Sequence, residues 1–142
     1  MQRHGVRAGF TLIEVIVVIT ILSILAAFAV PRFISQEAEA RTAAAQALAG
    51  SLGSASALSH ALWLAQGQPP TVAMEGATIT IVNGYPNRAT IGDALGDRSG
   101  FSYAPATGVF SKDGTASNCT VTYAEAAGVG RGPAINVVTT GC

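Results

Sequence analysis

The chain has 142 residues, 49% of them hydrophobic and only 11% charged, with a formal net charge of zero. That length suits one globular domain plus a membrane segment. The charge balance excludes the basic surface that general nucleic-acid binding needs, leaving at most a weak or tip-localised contact, and no specific nucleic acid is expected as a partner.

The first nine residues, MQRHGVRAG, carry Arg3 and Arg7 with His4 between them. Positive charge beside a first apolar helix keeps that end in the cytoplasm, so the chain beyond Pro31 is expected outside the inner membrane. Without this leader the chain holds 6 basic and 8 acidic groups, a net charge of −2.

The chain is organised around the next stretch, GFTLIEVIVVITILSILAAFAVP. Positions 10–30 comprise 21 residues, and Glu14 alone among them is charged. At a helical rise of about 1.5 Å per residue the run is about 31 Å long, close to the thickness of a bilayer core. Val, Ile and Leu lie on every face, which predicts a helix buried all round, in lipid or among like helices. A secretory signal core is shorter, about 7–15 residues, and a small-x-small cleavage site comes after it. Here the small residue, Gly9, precedes the run instead.

An ionised carboxylate in an apolar helix is costly and marks function, unless it lies near enough to the helix end to reach the headgroups. Glu14 needs a cation. Cleavage after Gly9 would create one, the α-amino group of Phe10, at i and i+4 on the same helix face. In a parallel bundle each of the two buried charges would need the other, within one chain or between neighbours.

Pro31 removes a helical hydrogen bond and clashes with the carbonyl of Ala27, which predicts a kink rather than a stop, because good helix formers resume over 32–66. Apolar or small residues recur at Ile34, Ala38, Ala45, Leu48, Leu52, Ala55 and Leu62, with Arg41 and Ser59 at the missing steps. This stripe can cover a sheet. Gly50 and Gly53 permit close packing or mark a soft point. Gly67, Pro69 and Pro70 stop the helix. Near its end Trp63 reads as a packing residue and His60 as a solvated one.

Beyond Pro70 the period shortens. ATITIV at 77–82 alternates as a strand does, and Asn83-Gly84 opens a turn over 83–87. A short helical turn is expected within 88–97. Strand-like runs come next at 101–104, 108–111, 119–125 and 135–140, with turns at Pro105 to Gly108 and Lys112 to Gly114. The loop GVGRGP at 128–133 comes after a strand but opens no helix, so it makes a poor phosphate cradle. Asn118 heads an N-C-T triplet that reads as chance. Outside the cytoplasm Cys119 and Cys142 are expected to pair, with two free buried thiols as the alternative. A metal site lacks ligands, since His60 is the one histidine past the leader. No catalytic constellation appears: Glu37 and Glu39 are two apart and share no helix face. Neither a cofactor nor turnover is expected.

The segment G-FTLIEV before an apolar helix resembles the N-terminus of type IV prepilins and the related pseudopilins. The resemblance implies cleavage between Gly9 and Phe10 by a prepilin peptidase, N-methylation of Phe10, and assembly into a helical filament through Glu14 and the N-terminal helix. It implies an α+β type IV pilin fold, in which the second half of a long helix packs on a small antiparallel sheet and a disulfide closes a C-terminal loop, here Cys119 with Cys142. IVNGYPNR and CTVTYAEA are similar to major pilins of the mannose-sensitive haemagglutinin type. The domains expected are a leader at 1–9, a membrane and filament-core helix at 10–31, and an extracytoplasmic globular domain at 32–142. The function implied is that of a homopolymeric type IV pilus subunit serving adhesion, motility or DNA uptake. It would reside in the inner membrane before assembly and in the extracellular pilus afterwards, with the peptidase and the pilus assembly machinery as partners. The alternative is a pseudopilin of a type II secretion system or a minor pilin.

Overall fold

A computed structural model describes residues 9–115 and 117–142; the charged leader with Arg3, His4 and Arg7 lies outside the described residues. The chain divides into two units, the first ending at Glu37 and the second spanning Ala38–Cys142. The fold is α+β, one long helix with antiparallel sheets. Helix α1 (Leu12–Ala65) carries Pro31 within it.

In the first unit no described side chain is buried. The polar groups of the apolar stretch are satisfied locally: Thr20 Oγ1 donates to the Val17 carbonyl at 2.8 Å and Ser23 Oγ to the Ile19 carbonyl at 2.7 Å. Ser51 and Ser54 further along the helix return their hydroxyls to carbonyls of the preceding turn in the same way.

In the second unit the buried face of α1 is Ala45, Leu48, Leu52, Ala55, Ser56 and Ser59. The apolar stripe read from the sequence thus becomes core only from Ala45 onward; Ala38 is exposed and Arg41 half-buried. Ser59 returns its hydroxyl to the Ala55 carbonyl at 2.8 Å, which makes its burial tolerable. The helix ends in a Schellman motif: the Gln68 amide donates to the Trp63 carbonyl at 2.8 Å and the Gly67 amide to the Leu64 carbonyl at 3.3 Å. Gly67 supplies the left-handed residue this requires, at φ 79°.

The strands form two sheets rather than the single one expected. The first holds β1 (Thr71–Met74), β2 (Ala77–Val82) and β3 (Tyr85–Pro86) in that order. Strand β1 has no counterpart among the strands expected from the sequence: it is four residues long and comes directly after Pro70. Two-residue turns join these strands, Glu75-Gly76 (φ 49° and 77°) and Asn83-Gly84 (φ 54° and 89°). Asn-Gly suits the doubly left-handed turn whose twist matches a hairpin. The turn is therefore tighter than the 83–87 segment suggested, and Tyr85 and Pro86 pair with Val82 and Ile81. A 3₁₀ turn at Ile91–Ala94 leads to the second sheet. That sheet runs β4 (Phe101–Ala104), β5 (Val109–Lys112), β6 (Thr120–Ala124) and β7 (Ala134–Val138), each antiparallel to its neighbour.

One core joins helix and sheets. Leu48 and Leu52 meet Val72, Met74 and Ile79 from the first sheet and Phe110, Val121 and Tyr123 from the second, closed by Ile91 and Ala94. Tyr123, fully buried, ties the two sheets together, its hydroxyl donating to the Pro86 carbonyl at 2.8 Å. Two more bonds cross the same seam, from Asn83 Nδ2 to the Ala126 carbonyl (2.8 Å) and from the Arg88 amide to Glu125 (3.0 Å). Gly108 sits against the hub: any Cβ there would lie 2.3 Å from the Tyr123 carbonyl oxygen, and its φ is 72°.

A disulfide joins Cys119 and Cys142, with Cα atoms 4.7 Å apart. Cys119 is fully buried. The Gly141 amide donates to the Asn118 carbonyl at 2.9 Å, and a side chain at Gly141 would collide with the Ser117 carbonyl. Arg41 Nη1 donates to the Cys142 main-chain oxygen at 3.3 Å, so the cross-linked segment is also held by α1.

Two outcomes are expected for the full-length protein in detergent. Cys119→Ser lowers the stability of the second unit by about 2–4 kcal/mol, read from the denaturant midpoint. Burial pushes the Tyr123 phenol up to about 12. Its folded value lies above its unfolded one, so this contribution is whole below about pH 10 and is lost as the pH rises toward 12. An ultraviolet phenolate titration should show Tyr123 ionising late, with Tyr103 also raised by its burial. Tyr123→Phe should abolish that step and flatten the alkaline fall in stability.

Candidate processing and assembly segment

Gly9 is exposed, and no described atom lies within 4 Å of the position a Cβ would take. Nothing in the described fold requires a glycine there. A requirement for a small residue must come from outside the chain.

Thr11 precedes the first residue of α1, and its Oγ1 accepts the Glu14 amide at 3.3 Å. Thr11 is thus the N-cap and Glu14 the N3 residue of the T-x-x-E pattern that starts many helices. A carboxylate in the first turn also faces the positive end of the helix dipole. Sequence reasoning treated Glu14 only as a buried charge and missed this local role; the threonine three residues before the glutamate was the available signal. Phe10 lies four positions before Glu14 and is 82% exposed.

Sixteen large apolar side chains between positions 10 and 34 are exposed, none less than the 46% of Ile16. Covering them would contribute on the order of tens of kcal/mol. Leaving one carboxylate buried and unpaired costs about 3–5 kcal/mol. The apolar term therefore outweighs the cost of Glu14 and favours removing this stretch from water. The helix is long and apolar enough to cross a membrane, and it suits anchoring before assembly.

The other residues singled out in the sequence come together differently. His60 is half-buried rather than solvated. Its ring stacks on Tyr85 at 4.4 Å and on Trp63 at 5.5 Å, and its Nδ1 lies 2.7 Å from the Gly84 carbonyl oxygen. That arrangement pins the β2–β3 turn to α1. It is a packing role that no local pattern could announce, because Tyr85 is brought to His60 by the hairpin. Trp63 packs against the core. Asp93 faces Arg98 at 4.0 Å, Asp97 accepts from Ser99, and Asp113 accepts from Ser102, so the three carboxylates serve separate loops. Among the described residues no group of three His, Cys, Asp or Glu side chains is placed to hold a metal ion. The 128–133 loop connects β6 to β7, with no helix after it.

Residues 6–30 match the family described as the prokaryotic N-terminal methylation motif, a prepilin-type signal. The match takes in Gly9, Phe10 and Glu14 and ends just before Pro31. Neither a curated protein nor a solved structure matches the chain. The motif supports a type IV pilin-like or pseudopilin-like precursor, and motif and fold together point to a structural protein rather than an enzyme.

Proposed function

We propose that the chain is the structural subunit of a type IV pilus. A prepilin peptidase removes residues 1–9, Phe10 is N-methylated, and the mature subunit leaves the inner membrane to join an extracellular homopolymer. The observation that carries this reading is the methylation motif lying on a helix whose apolar surface its own chain leaves uncovered. Lipid covers such a surface before assembly, and equivalent helices of neighbouring subunits cover it afterwards. The cross-link between Cys119 and Cys142 favours a pilin over a pseudopilin of a secretion system. The finer likeness of residues 77–142 to haemagglutinin-type pilins belongs to this proposal too.

Glu14 takes a specific part in it. In the membrane the carboxylate lies within a turn of the helix start, where headgroups, water or the Phe10 amine of its own chain satisfy it. In the filament, neighbouring helices exclude water and the α-amino group of an adjacent chain supplies the positive charge. Pairing the two sets the axial register of one subunit against the next, as one polar residue sets register in a coiled coil.

Electron microscopy of sheared surface filaments, with mass spectrometry of their subunit, tests the function: the subunit should begin at Phe10 and carry an added methyl group. Gly9→Val should leave the fold intact and block cleavage, and a mature wild-type subunit that begins at Met1 would contradict the processing. Glu14→Gln keeps the amide that Thr11 caps but removes the charge. It should insert in the membrane and be cleaved, yet yield few filaments. Normal cleavage with wild-type filament numbers would show that Glu14 has no part in assembly.

A further inference from the structure

Among the charges of the second unit with no ionic partner among the described residues are two of opposite sign, Arg131 and Asp97. Arg131 lies in the loop between β6 and β7, where Val129 is 88% exposed. Gly128 and Gly130 on either side of Val129 have no described atom within 4 Å of a would-be Cβ, so the tip of the loop is open on both sides of Val129, while Gly132 at its base lies near Tyr85. Asp97 borders an open cleft of about 520 Å³ whose other wall is the flank of α1 at Ala47, Gly50, Ser51 and Ser54. That flank is unpartnered and uncharged; no Asp, Glu, Lys or Arg occurs between Arg41 and Glu75. A helix face left to water ordinarily carries charge. Ser99 donates its amide to the Asp97 carboxylate at 2.8 Å and its hydroxyl as well, which holds the carboxyl below its usual range and keeps it ionised. The adjacent Arg98 is turned away, toward Asp93 and the Tyr103 ring.

Loop and cleft occupy different places on the helix. Val129 borders the cleft of Trp63, whereas Asp97 borders Ala47 and Ser51, which lie 16 and 12 residues earlier. Those steps amount to about 18–24 Å along the axis and about 120–160° around it. A projection and a cleft so separated cannot close on each other within one molecule. They suit a head-to-tail contact, which repeats into an open helical array.

We infer that the 127–133 loop of one copy docks in the Asp97 cleft of the next, with Arg131 against Asp97 and Val129 against the Ala47–Gly50 flank. The inference rests on the filament reading and adds to it a contact between globular domains, apart from the one made by the N-terminal helices. The occupant is a second copy because the complementary charge and the exposed apolar side chain stand on the same chain.

Sheared filaments from cells making the full chain are counted, with the subunit level in the membrane measured alongside. Arg131→Asp and Asp97→Arg should each lower the count about tenfold by placing like charges together, and the double exchange should restore it to within about twofold. If an exchanged variant fails to accumulate, Arg131→Gln and Asp97→Asn take its place; the doubly neutral protein should then be no worse than either single one, because both changes remove the same contact. Wild-type counts from the single exchanges, no recovery in the double, or additive losses in the neutral pair would overturn the docking while leaving the filament reading in place. A wild-type chain that forms no filament would overturn both.

Discussion

The constraint on which everything else depends is an apolar helical surface that its own chain does not cover. From Leu12 to Ile34 the large side chains of α1 are exposed on every face. No rearrangement of side chains can relieve this, because apolar residues occupy all angular positions of the helix. The stretch is long and apolar enough to cross a membrane, where lipid would cover it. The few polar groups inside it are arranged accordingly, with the hydroxyls of Thr20 and Ser23 turned back onto carbonyls of the preceding turn.

Glu14 has a part in the helix that the structure shows and, in the function proposed above, a part in assembly. Its amide is capped by Thr11, which fixes where the helix begins. The carboxylate is then held at a set height on the helix, four positions past Phe10. A charge whose position is fixed by a cap is better suited to defining register than one on a frayed end. The cost of leaving it unpaired is small beside the apolar term that drives the helix out of water, yet large enough to discriminate one alignment from another.

The second unit is held together differently. Its core is closed by contacts among α1, two small sheets and a 3₁₀ turn, and the sheets are joined by Tyr123, Asn83 and Glu125 rather than by continuous strand pairing. Short strands of two to six residues give few ladder bonds. The disulfide, the Arg41 contact to Cys142 and the His60 stack supply cross-links where the ladders are short. The near absence of charge along its helix is compatible with such a core and leaves one flank bare.

The features legible in the sequence were those written in neighbouring residues. The apolar run, the helix beyond Pro31, its stop at Gly67, the alternation of residues 77–82 and the Asn-Gly turn all arise from local composition, period and backbone preference. The prepilin-type signal is local too, since it is recognised as a linear pattern over residues 6–30. Tertiary structure alone decided what depends on distant segments meeting. Ser56 became core while Ala38 did not, because burial is set by where the sheets lie rather than by hydropathy. The four residues of β1 became a strand because β2 offered a ladder. The strands separated into two sheets, with Tyr123 reaching Pro86 across the seam, and His60 changed from an apparent surface residue into part of an aromatic stack. A sequence carries its periods openly, but it does not state which hydroxyl will find which carbonyl 37 residues away. That is settled only when the chain closes on its core and a buried hydroxyl such as that of Tyr123 must exchange water for a partner in the protein.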